Sequence, residues 1–399
     1  MSIQGIDPPE GAGEERGLVH EVVGPPLTAL EAAVAIALGV LSLLLAGSMP
    51  ILLGALADEG RLAVTAIGDT AMVEALSMGL AAGLAGAFLK PVRLRLIGLT
   101  AGILVAAIDL AMLRASGLGV LTLRAVAGIP EGLLLWITIS MIARTETPER
   151  WAGLFFAAST LSQFAVAAAL TQVVLPNLHA AGGFLVGAAL IAASAPIALL
   201  GRDRYAPLPH AQNGESGAPP PRGWVALAGT VLFSGAGGAV AVYITPIAHQ
   251  AGLGAGVAGV ALTASLAMQV LGSALATAAA GRLHYFTVFL MSTVVVLGCW
   301  AVYMFWPPAW MFISVTMTAG FMALFATPFL VPMTIEADPS RRAAVQSGGA
   351  QLFGGALGPF LASRSVAAWG VRGDLVLGGV LLIASLAIFG GLHLTSRKL

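Results

Sequence analysis

The sequence is divided into long stretches that contain no Asp, Glu, Lys or Arg. These stretches cover residues 32–57, 151–201, 223–281, 283–335, 343–363 and 375–396. Soluble domains have about 25% charged residues, whereas this chain has 10% and is 58% hydrophobic. Too few charged side chains are present to cover the surface of soluble folds, so lipid must be the solvent for most of the chain.

The lengths of these stretches predict how often the chain crosses the bilayer. A crossing helix needs about 20 apolar residues, so the three longest stretches predict two helices each, divided near Pro176, His249 and Pro307. No alternating pattern of about ten residues indicates a β-barrel. The predicted fold class is an all-α polytopic membrane protein. Its twelve predicted helices are 29–54, 64–89, 94–113, 119–143, 151–175, 179–201, 223–248, 254–281, 284–306, 309–334, 343–368 and 373–395.

The distribution of Lys and Arg predicts the orientation, because cytoplasmic loops are enriched in both. A cytoplasmic N-terminus places 14 basic residues inside and five outside. The inside set is Arg16, Lys90, Arg93, Arg95, Arg144, Arg150, Arg202, Arg204, Arg222, Arg282, Arg341, Arg342, Arg397 and Lys398. The outside set is Arg61, Arg114, Arg124, Arg364 and Arg372. We therefore expect both termini in the cytoplasm, with the protein in a plasma membrane, the bacterial inner membrane being the expected one.

Two polar segments predict the domain organisation. Residues 1–28 are rich in Gly, Pro and Glu and predict a disordered cytoplasmic tail. Residues 202–222 have the composition of a flexible cytoplasmic linker. The prediction is an N-terminal six-helix bundle at 29–201, a C-terminal six-helix bundle at 223–395 and a short cytoplasmic end at 396–399.

Motifs of soluble enzymes and metal sites are missing from the sequence. Cys299 is the only cysteine, which excludes disulfide frameworks and cysteine-based metal sites. There is no phosphate-binding glycine loop ending in Lys and Ser or Thr, and no His-Glu-x-x-His motif. The six histidines are scattered, and no cluster is expected. Basic and acidic residues both number 19, which argues against a nucleic-acid partner. We expect no enzyme activity, cofactor or metal, so an ion or substrate gradient must supply energy.

Local motifs indicate a family. Helix four begins with Arg124, followed by Gly128 and Gly132 at one-turn spacing. A Pro-Glu-Arg sequence at 148–150 precedes helix five, and Asp-Pro-Ser-Arg-Arg at 338–342 occupies the equivalent position before helix eleven. Together with six helices, a linker and six more helices, these motifs resemble the major facilitator superfamily over about residues 29–395. The resemblance implies a monomer in which two bundles rock around a central site at the membrane midplane.

The loop between helices two and three departs from the family pattern. The family signature has a glycine, an acidic residue and several basic residues, but here Lys90 stands where the Asp would be, followed by Arg93 and Arg95. The residues predicted to act in gating or in cytoplasmic loops are Lys90, Arg93, Arg95, Arg150, Arg341 and Arg342. Helix five also lacks the glycine-rich pattern, ending in Gly-Pro, of drug/proton antiporters.

Ionisable side chains inside lipid are costly and therefore mark function. Glu131 lies near the middle of helix four, two turns after Arg124, so that both face the same side about 10.5 Å apart. This pattern predicts that Arg124 and Glu131 bind an anionic substrate and that Glu131 carries a proton. The alternatives are a permanent ion pair and a Glu131 that caps a helix broken after Pro130. Glu74, at similar depth in helix two, is predicted to assist. Asp69 is a further proton candidate, with a solvated helix-entry position as its alternative.

The remaining polar residues give weaker predictions. Asp109 is expected to form an ion pair with Arg114 at the rim, and no acidic residue is expected in the lipid core of the second half. Further candidate substrate contacts are Trp136, Gln163, Tyr243, Gln269, Thr327 and Gln351, with helix packing or interhelical hydrogen bonding as the alternative for each. Glycines at 79, 83, 86, 354 and 358 are predicted to allow close helix packing.

These features together predict a secondary active transporter. Its substrate would be a small organic anion, coupled to protons and moved by alternating access. The partners expected are this small molecule, protons and membrane lipids. The first alternative is efflux of hydrophobic or drug-like compounds by proton antiport, and the second is a non-transporting membrane receptor or assembly factor.

Overall fold

The computed structural model describes residues 18–19, 25–63, 66–208 and 218–396, and nearly all of these residues are helical. The predicted tail (1–28) and linker (202–222) therefore lie partly outside the described residues. Residues 397–399 lie entirely outside them. The α-helices are α1 (Ala29–Asp58), α2 (Ala66–Phe88), α3 (Leu94–Met112), α4 (Leu118–Ile142), α5 (Pro148–Ala169), α6 (Leu175–Ala192), α7 (Ser194–Leu200), α8 (Pro221–Val242), α9 (Ile244–Gln250), α10 (Ala255–Ala279), α11 (Tyr285–Met304), α12 (Ala309–Ala326), α13 (Leu330–Ala337), α14 (Arg342–Trp369) and α15 (Val371–Ser396).

Four shorter elements accompany these helices among the described residues. A π-helix (Leu170–Val174) connects α5 to α6, and a 3-10 helix (Thr327–Phe329) connects α12 to α13. Strands β1 (Leu18–Val19) and β2 (Leu27–Thr28) pair antiparallel just before α1. These strands lie within residues 1–28, and the disorder predicted for that segment stays a prediction.

The protein is an integral multi-pass membrane protein. Nine helices among the described residues are long and apolar enough to cross a membrane. The helices follow the predicted ranges closely, whereas the total of twelve crossings stays a prediction.

The start of α1 has a local explanation, because the Thr28 side chain accepts a hydrogen bond from the Glu31 backbone and Glu31 accepts one from the Thr28 backbone.

The division between the fifth and sixth predicted helices lies at His179 rather than at Pro176. His179 has a left-handed backbone conformation (φ 57°, ψ −165°) that breaks the helix. Pro176 follows directly after the π-helix and does not end the helical run, because the residues on either side of it keep helical backbone. The next segment begins at Ala180, whose backbone N–H donates to Glu59 Oε1 at 2.7 Å.

The helix ends define two faces of the molecule. On one face Arg202 lies 3.8 Å from Glu31 near the start of α1, and Arg144 after α4 donates to the Ala206 carbonyl. We call this side, which also carries the end of α15, the terminal face. The opposite side, with the Glu59–Ala180 contact, is the far face. Apolar cores lie between the faces, with Trp136 buried in the first part of the chain and Phe289 in the second.

Helices from the two parts of the chain meet in the half of the molecule nearest the terminal face. Helix α2 packs against α14, and α5 packs against α10. The α2–α14 contact is backbone to backbone: a Cβ added to Gly349 would lie 2.6 Å from the Gly79 carbonyl oxygen and 2.7 Å from the Gly83 nitrogen. Towards the terminal face, Gly86 lies against Gln346. The other predicted pair, Gly354 and Gly358, packs against α8 instead.

We expect Gly349→Ala to separate α2 from α14 at the terminal face. The added methyl group would meet backbone atoms, which cannot rotate away, and overpacking costs about 1–3 kcal/mol, equivalent to about 5- to 150-fold in a conformational equilibrium. Maleimide labelling of Gln346→Cys, in a Cys299→Ala background, should accelerate by a factor in this range. Gly83→Ala is the matched control, because a Cβ there meets nothing within 4 Å. Equal labelling rates in both variants would contradict the prediction.

Candidate functional site

Four ionisable side chains from three helices meet inside the membrane-spanning part of the molecule. Arg124 and Glu131 come from α4, Glu74 from α2 and Asp109 from α3. All four residues are buried, with exposed fractions of 0% for Arg124 and Asp109, 1% for Glu131 and 2% for Glu74. We call this group the Arg124 cluster.

The Arg124 guanidinium donates to all three carboxylates. Its Nε donates to Glu74 Oε2 at 3.1 Å, and its Nη2 donates to Glu74 Oε1, so that Glu74 is bound through both oxygens. Nη1 donates to Asp109 Oδ1 at 2.6 Å, and Nη2 donates to Glu131 Oε1 at 3.2 Å. Bidentate charge-assisted bonds of the Glu74 type are the strongest of these contacts.

The glycines of α4 explain how Glu74 reaches this position. A Cβ at Gly128 would lie 2.5 Å from the Glu74 carbonyl oxygen, and one at Gly132 would lie 2.4 Å from the Met78 carbonyl oxygen. Only residues without a side chain allow α2 to approach α4 so closely. The one-turn spacing of glycines after Arg124 therefore positions the Glu74 carboxylate over the guanidinium.

The cluster contains one cation and three acids, a formal charge of −2 if every carboxylate is ionised. Asp109 Oδ2 and Glu131 Oε2 are buried and have no hydrogen-bond partner among the described residues. A charge buried without compensation costs several kcal/mol. An arrangement of this kind can therefore bind and release protons as its access to water changes.

Comparisons with known proteins identify the architecture. No protein-family model and no curated protein sequence matches the chain. A crystal structure of the major facilitator superfamily transporter FucP in its outward conformation matches with a TM-score of 0.70 at 14% identity, covering 91% of this chain and 98% of FucP. The chain has the major facilitator superfamily fold. The human organic anion transporter MFSD10 also matches, with a TM-score of 0.66 at 15% identity over 90% of this chain and 99% of MFSD10.

This finding confirms the predicted resemblance at the level of the fold. A variant of the E. coli fucose:proton symporter FucP gives a similar match, with a TM-score of 0.69 at 14% identity over 91% of this chain and 98% of that chain. The sequence signals that led to this fold were the uncharged stretches and the motif after Arg124, whereas sequence identity to these structures is low.

The major facilitator fold of this chain brings some predicted site residues together and separates others. Arg124, Glu131 and Glu74 meet in the cluster. Asp69 is exposed on α2 and does not reach it. Trp136 is buried in the apolar core of the first part, and its indole Nε1 has no hydrogen-bond partner among the described residues.

The other predicted substrate contacts are half-buried along the helices. Gln163 Nε2 donates to the Leu43 carbonyl at 3.0 Å, and Thr327 Oγ1 donates to the Ala323 carbonyl at 2.7 Å. Tyr243 stands between α8 and α9, where Pro246 lacks the N–H needed to continue the helix. Gln269 and Gln351 are half-buried on α10 and α14.

Of the predicted gating residues, Arg341 connects the two parts of the chain. Its Nη1 donates to the carbonyl oxygens of Ala143 and Thr145, at 2.8 and 2.7 Å. A second link joins the Gly281 backbone N–H to Glu149 Oε1 at 2.9 Å. Arg95 instead bonds to the Gly201 carbonyl within the first part. The exposed predicted gating residues are Lys90, Arg93, Arg95 and Arg150, and Arg342 is half-buried.

We expect Arg341→Met to loosen the terminal face. The substitution removes two hydrogen bonds made by a charged donor, and bonds of this kind contribute about 1.5–3 kcal/mol each. Amide hydrogen exchange around residues 143–149 and 338–346 should become faster. Arg204→Met, an exposed arginine on the same face, is the control. Unchanged exchange in Arg341→Met would show that these bonds do not hold the face closed.

Sequence reasoning missed several buried ionisable residues. Asp109 pairs with Arg124 rather than with the exposed Arg114, which corrects the predicted rim ion pair. Asp374 is fully buried in the first turn of α15, and neither of its carboxylate oxygens has a hydrogen-bond partner among the described residues. Asp374 lies at the N-terminal end of α15, so the expectation of no acidic residue in the lipid core of the second half stays a prediction. No spacing in the sequence signals either position.

Arg144, expected in a cytoplasmic loop, is buried just after α4. It donates to the Ser140 carbonyl at 2.7 Å and lies 5.6 Å from the centre of the Tyr205 ring. Burial lowers the pKa of Arg144 to about 10 and raises the pKa of the Tyr205 hydroxyl, because desolvation disfavours the charged form of each. Arg144 thus keeps its charge at neutral pH and fixes the loop after α7 to α4.

The histidines also differ from expectation. His284 and His393, predicted to be scattered, have ring centres 4.6 Å apart. Glu336 lies beside both of them at the terminal face.

Proposed function

We propose that this protein is a proton-coupled secondary transporter that moves a small polar organic molecule across a membrane by alternating access. The observation that carries the proposal is the excess of carboxylates in the Arg124 cluster. The major facilitator fold supports the transport part of the proposal, since FucP is named a fucose:proton symporter and MFSD10 an organic anion transporter. We also propose the predicted arrangement of two bundles, 29–201 and 223–395, and a monomer.

The geometry of the cluster suggests which acids carry protons. Glu74 is bound through both oxygens to Arg124, and an ionised carboxylate suits this bidentate contact. Asp109 and Glu131 each use one oxygen and leave the other without a partner among the described residues. In our proposal Asp109 and Glu131 are protonated in this state, so that the buried cluster is neutral overall.

The contacts between the two parts of the chain suggest the conformational state. The α2–α14 contact and the Arg341 and Glu149 bonds all lie towards the terminal face. If the terminal face is cytoplasmic, as the distribution of Lys and Arg predicts, the protein is closed to the cytoplasm here. Rocking of the two parts about the midplane would then open this face and hydrate the cluster.

The substrate is proposed to be neutral and polar, such as a sugar or polyol. The sequence-based expectation of an anion rested on Arg124, yet this side chain is fully buried and four hydrogen bonds direct it to carboxylates. The predicted contacts in the second part, Tyr243, Gln269, Thr327 and Gln351, are uncharged. Neutral hydrogen-bonding groups on both solute and site avoid the cost of burying a charge.

Uptake into proteoliposomes tests this proposal. Purified protein is reconstituted, a pH gradient is imposed, and accumulation is measured for three sets of labelled solutes: hexoses and polyols, small carboxylates, and hydrophobic dyes. We expect accumulation of at least one neutral sugar or polyol, which protonophore abolishes. Accumulation of a carboxylate alone would restore the anion assignment, and dye movement alone would favour efflux. No gradient-dependent movement of any set would support the receptor alternative.

A further inference from the structure

Three side chains at the terminal face form a set of metal ligands outside the Arg124 cluster. His284 immediately precedes α11, Glu336 lies near the end of α13, and His393 lies in the last turn of α15. One potential ligand atom from each residue lies within 4.8 Å of the others. Because the three residues come from three separate helix ends, only the fold brings them together.

We propose that His284, Glu336 and His393 form a binding site for a divalent transition metal of the Zn²⁺ class. Two histidines and one carboxylate, with water as a fourth ligand, are a donor set that Zn²⁺ uses in proteins. Ca²⁺ and Mg²⁺ prefer all-oxygen sets, so this composition disfavours them.

The distances are close to those of a metal site. Glu336 Oε2 lies 3.9 Å from His284 Nε2, and Glu336 Oε1 lies 3.7 Å from His393 Nδ1. Donors around a tetrahedral Zn²⁺ are about 3.4 Å apart for bond lengths of about 2.0–2.1 Å. Small side-chain rotations close the difference, and His284 and Glu336 have solvent-facing side chains, 47% and 32% exposed, that permit such rotations.

Neighbouring groups hold the rings in place. Phe286 stacks on the His393 ring, with centres 4.9 Å apart and an angle of 14° between planes. The Tyr285 hydroxyl lies 3.4 Å from His393 Nδ1, the ring nitrogen that faces Glu336, so a metal at this nitrogen would replace the hydroxyl contact. The Phe286 backbone N–H donates to His284 Nδ1. In this arrangement the neutral His284 ring carries its proton on Nε2. A metal at Nε2 requires the proton to be on Nδ1, so the hydrogen bond from Phe286 is lost when the metal binds.

A metal at this site joins the ends of α11, α13 and α15. It also fixes the chain just before Asp338, whose carboxylate accepts from the Ala343 backbone N–H at the start of α14. The expected result of binding is therefore a more stable second part of the chain.

Zinc binding to the full-length protein in detergent, with any affinity tag removed, tests the proposal. Isothermal titration and thermal unfolding with ZnCl₂ should show one saturable site and a rise in apparent Tm, whereas MgCl₂ should have no effect. His393→Asn and Glu336→Gln should each weaken zinc binding by at least about 10–100-fold. His249→Asn, an exposed histidine on α9, is the control.

Proton competition gives an independent readout. Histidine must be unprotonated to bind the metal, so zinc binding should weaken as the pH falls from 7.5 to 5.5. No saturable zinc binding by the parent protein, or the same affinity in His393→Asn and His249→Asn, would overturn the proposal, even if the variants differ in stability without metal.

Discussion

Replacement of Arg124 by methionine is expected to destabilise the protein severely. The change leaves Glu74, Asp109 and Glu131 buried around an apolar side chain. Removing one partner of a buried ion pair costs about 3–5 kcal/mol, because the remaining charge is uncompensated. In our proposal Glu74 is the ionised partner, and Arg124 also donates to Asp109 and Glu131, so the apparent Tm in detergent at neutral pH should fall steeply.

The pH dependence of this loss identifies its cause. Lowering the pH favours the neutral form of the one carboxylate that our proposal leaves ionised, which removes the uncompensated charge, so the difference in Tm between Arg124→Met and the parent should shrink between pH 8 and pH 5. Arg114→Met, an exposed arginine near the cluster in sequence, should stay close to the parent at every pH. A loss in Arg124→Met that does not change with pH would indicate a packing defect rather than unpaired carboxylates.

Glu131→Gln is expected to abolish proton-driven accumulation of the transported solute while leaving exchange intact. Glutamine keeps the shape of the side chain and can accept the Arg124 Nη2 hydrogen bond, but it cannot carry a proton. Accumulation in proteoliposomes under a pH gradient should fall to the level of equilibration. Counterflow of labelled against unlabelled solute, which needs no net proton movement, should continue.

The matched control for this variant is Asp58→Asn, which removes an exposed carboxylate at the far end of α1. It should accumulate solute as the parent protein does. Full accumulation by Glu131→Gln would remove Glu131 from the coupling mechanism. Loss of both accumulation and counterflow would assign it to substrate binding or folding instead.

The fold followed from the sequence because its main determinant is local. A run of about 20 uncharged apolar residues specifies a membrane helix wherever it occurs, and the described helices lie close to the predicted ranges. The pairing of Arg124 with Glu131 also followed from local geometry, because a separation of seven residues places both side chains on one side of a helix. The break at His179 did not follow, because its left-handed backbone leaves no signal in composition.

Contacts between helices are the part of the structure that could not be predicted from the sequence. Asp109 is close to Arg114 in the chain, which suggested a local pair, but the packing of α3 on α4 turns its carboxylate to Arg124. His284 and His393 lie on helices far apart in sequence and meet only through the packing of α11 and α15. Asp374 stands at the edge of an uncharged stretch, and its burial follows from the packing of the helices rather than from that position in the sequence.

The central claim is that the Arg124 cluster holds protons at neutral pH, and infrared spectroscopy of the purified protein tests it without any substrate. Protonated carboxylic acids absorb at a carbonyl frequency separate from that of carboxylates. We expect the spectrum of the parent protein at pH 7 to contain a carboxylic-acid band that is lost in Glu131→Gln combined with Asp109→Asn. A parent spectrum without this band, or a band that the double variant keeps in full, would contradict the account.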